Sequence, residues 1–239
     1  MIMRKYQLVI GLIVMGASAS VEKTFHSRIP DDYAIVTTRV PFKSVSLKGM
    51  MDMIDALPAA AALLQGAQPD VIVVPNAFGS YMKGAEIKNI VQNATGVPAY
   101  VTSEVYLKLL HKLGAKRIGI ISSFGEELSL VERLFFQNHG FDVAEVRNID
   151  CFIDAAVNIV DTFDEALFIE KLRELAPKSL DAVIVNHPNF MMTEEFAAYA
   201  GKLIGCPILS SLDSILHTVL TENGVDGSRA DSYIESFLH

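Results

Sequence analysis

Four short stretches of this chain hold the groups best able to act on a small molecule: residues 15–20, 75–80, 122–125 and 186–190. The second, Pro75-Asn76-Ala77-Phe78-Gly79-Ser80, and the fourth, Asn186-His187-Pro188-Asn189-Phe190, are rich in small or amide residues and precede helices. Turns of this kind leave backbone N–H groups free to hold a carboxylate. His187 adds a ring that exchanges protons near neutrality. Gly16 and Ser18 in the first stretch and Ser123 and Phe124 in the third complete the candidates. Each has a duller reading beside it. Asn76 can shape a turn, His187 can be satisfied by backbone, and Ser122 and Ser123 can cap the following helix.

Other chemistries find little support. The remaining histidines, His26, His111, His139, His217 and His239, form no constellation. The two cysteines, Cys151 and Cys206, make no zinc or redox spacing and are expected as reduced, partly buried thiols. There is no GxGxxG, no GxxxxGK[ST] and no Gly-x-Ser-x-Gly elbow, and Ser211 with Asp213 reads as a helix start. No metal or cofactor is expected.

The elements that must position these loops repeat. Val9-Ile10-Gly11-Leu12-Ile13 matches Arg117-Ile118-Gly119-Ile120-Ile121, and 69–74 matches 180–185. Gly96-Val97-Pro98 matches Gly205-Cys206-Pro207, in the same order and at nearly one spacing. Strands are expected near 7–14, 34–40, 70–75 and 98–101, then 117–122, 142–147, 181–186 and 207–210, as apolar runs suited to parallel sheets covered on both faces. Helices are expected near 46–65, with Ser46 as cap and Pro58 kinking or restarting it, and from 102 or 103 to Gly114. Others fall near 126–138, 164–176 with Asp164 as cap, 193–204 and 212–222. The methionine pairs Met50-Met51 and Met191-Met192 read as packing.

This predicts an α/β fold of two pseudo-symmetric, Rossmann-like parallel-sheet halves. The first half is 1–113, completed by 213–239, and the second is 114–212. Ligands of such sheets sit outside the carboxyl ends of the strands, so the loops of Asn76 and His187 should oppose one another across a shared cleft.

With 239 residues, 51% hydrophobic and 20% charged, the chain can bury a full core without staples. A net charge of −8 without a Lys/Arg run argues against nucleic acid as a partner. The start resembles a secretory signal, with Arg4, Lys5 and an apolar run before Ala17-Ser18-Ala19. A buried first strand at 7–14 is the favoured reading, because the pattern returns later in the chain. The run is too short for a membrane span. A cytoplasmic protein is expected.

The chain resembles the aspartate/glutamate racemase superfamily, nearest its maleate isomerase and arylmalonate decarboxylase branch. The resemblance rests on Ile10-Gly11-Leu12-Ile13-Val14 with 18–22, Thr38-Arg39-Val40-Pro41, 71–84 and 114–123. Glu126-Glu127-Leu128 with Glu132-Arg133, and 181–211, complete it. It implies the same duplicated fold and a cysteine after the third strand of each half, the decarboxylases keeping only the second. Here the first position falls on Asn76. The second falls on His187 counting from the aspartate that opens the strand, on Pro188 counting back from Pro207, or on Asn189 matching the Pro-Asn pairs. Strand register favours His187. A tyrosine common among relatives stands here as Phe124, and a first-loop asparagine as Ser18.

Without both thiols, two-base racemisation gives way to one-base chemistry beside a carboxylate, with His187 as acid/base. Asn76 and the N–H groups of Ala77 and Phe78 would hold a carboxylate or enolate, with Ser18 and Ser123 as further donors. The expected function is a cofactor-independent isomerase or lyase of a small organic acid. The alternatives are a non-catalytic carboxylate-binding protein and, more weakly, an exported binder. A homodimer is expected by analogy.

Overall fold

A computed structural model describes residues 5–16, 18, 20–149, 164–187, 190 and 192–238. The first half runs β1 (Leu8–Met15), α1 (Ser20–Arg28), β2 (Tyr33–Val40), α2 (Leu47–Leu64), β3 (Val71–Val74), α3 (Ala77–Thr95), β4 (Ala99–Val101) and α4 (Thr102–Lys112). The second runs β5 (Arg117–Ser122), α5 (Glu126–Asn138), β6 (Asp142–Asn148), α6 (Glu165–Leu175), β7 (Ala182–Asn186), α7 (Glu194–Ile204) and β8 (Ile208–Ser210), and is followed by α8 (Ser211–Glu222) and α9 (Gly227–Glu235). The strands form two four-stranded parallel sheets of identical order, β2-β1-β3-β4 and β6-β5-β7-β8. The apolar run at the start of the chain is β1, an inner strand paired on both sides.

The repeat extends to single hydrogen bonds. The Asp70 carboxylate accepts from the Val9 N–H at 2.7 Å. Asp181 accepts from the Lys116 and Arg117 N–H groups, both at 2.8 Å. Each aspartate thus ties the entry of an inner strand to its neighbour. Two residues before each aspartate, Gln68 and Ser179 take left-handed backbone, φ 50° and 53°. Gly96 and Gly205, both at φ 76°, end α3 and α7 and turn the chain into β4 and β8. Gly11 and Gly119 admit close neighbours: a Cβ on Gly11 would lie 3.0 Å from Ile72 and Leu64, and one on Gly119 2.7 Å from Leu180.

One apolar core joins the halves, with Ile10, Val73 and Tyr106 from the first packed with Ile118, Phe136 and Ile184 from the second. Ser46 caps α2 by accepting from the Gly49 N–H at 3.0 Å, and Asp164 caps α6 through Leu167 at 3.0 Å. α2 does not restart at Pro58 but continues through it as one helix. Burial of Leu57, Ala60, Ala61 and Leu64 around it offsets the lost hydrogen bond. α1 and α9 are not expected from the sequence, since nine residues with few buried positions leave little periodic signal. Met50 and Met192 are buried as packing residues. Met191 and Cys151 lie outside the described residues. No helix among the described residues is long and apolar enough to cross a membrane.

Candidate functional site

The four loops at the carboxyl ends of the inner strands connect through a chain of contacts. In the first, the Arg39 guanidinium donates to the carbonyls of Met15, Gly16 and Ser18 at 3.3, 3.1 and 2.8 Å and pairs with Glu22. Met15 Sδ lies 3.4 Å from the Asn76 Nδ2 of the second loop. Phe78 meets Phe124 of the third loop with ring centroids 5.1 Å apart, crossing from one half to the other. The Ser123 N–H donates to the Asn186 carbonyl at 3.1 Å, joining the third loop to the fourth.

Asn76 is the N-cap of α3. Its Oδ1 accepts from the Gly79 N–H at 2.8 Å, and its Nδ2 points among sulfurs, 2.8 Å from Met53 Sδ and 3.8 Å from Met50 Sδ. Both ends of this amide are thus engaged within the fold. What remains is the helix start. Ala77 and Phe78 occupy its first two positions, where geometry provides no intrahelical acceptor for the N–H groups. Phe78, Phe124, Met50 and Val45 form an apolar cluster beside them.

His187 follows β7 directly and is 1% exposed. Its carbonyl accepts from the Ser211 hydroxyl and the Phe190 N–H, each at 3.3 Å, and its ring lies 6.3 Å from that of Phe190. Phe190 in turn packs with Phe168 and Phe196. His187 is thus a buried residue held through its backbone carbonyl and its aromatic neighbour. Ser18 and Ser123 are buried, whereas Gly16 is exposed. Pro188 and Asn189 lie outside the described residues.

Beneath the third and fourth loops sits a carboxyl group given no role in the sequence reading. Glu132 of α5 is completely buried. The Asn186 amide donates to its Oε1 and the Ser122 hydroxyl bonds it as well. Burial pushes this carboxyl up to about 8, against the pull of those two donors, so it is protonated at pH 7. Tyr81 and Tyr106 flank it, their hydroxyls held well above their ordinary range by burial and by Glu132. Tyr106 also donates to the Val185 carbonyl at 3.0 Å, reaching across the halves to β7. A signal for Glu132 was present: it falls on the buried stripe of α5 between Ser129 and Phe136.

A second buried acid, Asp213, opens α8. The Ser210 hydroxyl donates to it and accepts in turn from its N–H at 3.2 Å, which is the expected helix start. Arg28 of α1 pairs with Asp213, contacts Asp231 at 3.3 Å and donates to the Met192 carbonyl at 2.7 Å. α1 is thereby fastened to the segment that follows His187. Burial raises Asp213 to about 6 despite Arg28. His217, without a role in the sequence reading, is buried with Nε2 2.8 Å from Glu235.

Cys206 is a free, buried thiol that burial raises to about 12, so it offers no thiolate near neutrality. Among the described residues no group of three or more His, Cys, Asp or Glu side chains is set to hold a metal ion.

Several solved structures share this fold. The maleate cis-trans isomerase of Nocardia farcinica is 18% identical with a TM-score of 0.79, covering 90% of this chain and 91% of its own. A variant of the maleate isomerase of Pseudomonas putida S16 with maleate is 15% identical with a TM-score of 0.81, covering 95% and 99%. A double mutant of arylmalonate decarboxylase in liganded form is 17% identical with a TM-score of 0.80, covering 94% and 99%. No curated protein sequence matches the chain. The profile of the family described as arylmalonate decarboxylase matches residues 10–233, and the chain belongs to that family.

Proposed function

We propose that this protein is a cofactor-independent decarboxylase or isomerase acting at the carbon next to a carboxylate of a small organic acid. Membership in the arylmalonate decarboxylase family supports this reaction class. The observation that carries the reading to this chain is the linkage of all four strand-end loops, with a helix start beside an apolar wall and a histidine in the fourth. The N–H groups of Ala77 and Phe78 at the α3 start receive the substrate carboxylate. In decarboxylation the bond to the departing carboxylate breaks and CO2 leaves. The electron pair passes into the retained carboxylate as an enediolate. Protonated His187 then delivers a proton to the carbon and regains one from water. Each N–H aimed at the enediolate is worth roughly 3 kcal/mol of barrier, by analogy with oxyanion-hole donors. Phe78, Phe124, Met50 and Val45 favour an apolar substituent.

A second reading, a carboxylate-binding protein without turnover, is favoured by the commitment of Asn76 to its cap and by the burial of His187. Incubation in D2O with phenylmalonate, methylmalonate and maleate, followed by NMR, separates the two. Loss of CO2 with deuterium at the α-carbon, or conversion of maleate, supports the enzyme. Calorimetric binding with no turnover or exchange for any of them supports the binder.

A further inference from the structure

Glu132 lies wholly buried in the middle of the core that joins the halves, on a helix stripe that an apolar residue would fill at lower cost. Tyr81 of α3, Tyr106 of α4, Ser122 of β5 and Asn186 of β7 act on it or feel it, and no cation is among them. Ser122 and Asn186 are the last residues of adjacent strands and stand opposite one another in register. Ser123 and Phe124 follow the first, and His187 follows the second. The Ser123 N–H closes onto the Asn186 carbonyl at 3.1 Å, and the Phe124 N–H onto Ser122 Oγ at 3.2 Å. The Glu132 carboxyl therefore joins the two strands at the point where they part into site loops.

We infer that Glu132 is a positioning residue: by holding Ser122 and Asn186 together it sets how the loop of Phe124 and the loop of His187 are presented to one another. What His187 then does rests on the proposed function; the coupling between Glu132 and His187 does not. The carboxyl, neutral at pH 7, ionises near pH 8, and a buried anion with no cation among the described groups that act on it must draw on its two donors more strongly or shift them. His187, one residue beyond Asn186, registers that change.

The test is a pH titration of the histidine ring signals by ¹H–¹⁵N NMR on the full chain, with His187 identified by its loss in His187→Gln. The wild type should show an alkaline inflection at His187 near pH 8. Glu132→Gln keeps an oxygen to accept from Asn186 but cannot ionise, so it should match the wild type at pH 7 and lack the inflection. Asn186→Ser, which shortens the link while keeping Glu132, should weaken it. A wild-type titration without that inflection overturns the inference, as does its persistence in Glu132→Gln. Should that variant fail to fold, the wild-type curve and Asn186→Ser decide. An inflection in a protein inert toward the acid panel contradicts the proposed function alone. An active enzyme whose His187 ignores Glu132 contradicts this inference alone.

Discussion

Asn76 illustrates how one residue type serves two chemistries that sequence cannot separate. An asparagine opening a helix can turn its amide toward a ligand or back to the helix; here Oδ1 bonds the Gly79 N–H. Asn76→Ala should cost about 1 kcal/mol through the lost cap, read as a lower denaturant midpoint at unchanged slope. Its effect on turnover should be modest, because the substrate contacts assigned to this loop are backbone N–H groups. Cys206 makes the complementary case. Its thiol, raised to about 12, should resist iodoacetamide at pH 8 in the folded protein and react at an ordinary thiol rate in urea. The position of His187 after β7 was legible from its aspartate-based register. Its burial was not, since that depends on Phe190, Phe168 and Phe196 closing over the loop.

Among the elements, the repeated strands were legible because each signal is local: β-branched runs, a Gly-x-Pro turn and an aspartate before the inner strand. The hydrogen bonds of Asp70 and Asp181 give that aspartate its reason. N–H groups of Arg117 and Lys116 hold the Asp181 carboxyl below its usual range. A depressed value means its stabilisation is present at neutral pH and lost as pH falls through the folded value. Asp181→Ala should therefore be less stable than wild type at pH 7 and approach it in acid, as thermal melts over that range would show. Gly119→Ala pushes a methyl to 2.7 Å from Leu180 and should cost roughly 1–3 kcal/mol. The roles of Glu132 and Arg28 were not legible because their partners lie on distant elements: the period of α5 places Glu132 on its buried stripe but does not say what it meets there.

For the whole molecule, two buried acids set the pH behaviour. Glu132 and Asp213 are raised to about 8 and about 6, so the folded chain keeps protons that the unfolded chain has released. Stability should then fall as pH rises from about 4 through 8, and Glu132→Gln should flatten the upper part of that fall. At ~1.4 kcal/mol for each pH unit separating the folded from the unfolded value, the Glu132 contribution is on the order of a few kcal/mol, checked by denaturant titrations at pH 5 and 9. The halves are joined by Phe78 on Phe124, by Tyr106 on the Val185 carbonyl and by their common core, and so they should unfold together.

In the proposed mechanism His187 supplies the proton at the reacting carbon. That step is tested most directly by comparing wild type with His187→Gln on whichever acid of the panel the wild type turns over, following deuterium incorporation in D2O. Turnover should fall at least a hundredfold in the variant, with carboxylate binding retained. Turnover in His187→Gln at the wild-type rate would contradict that mechanism.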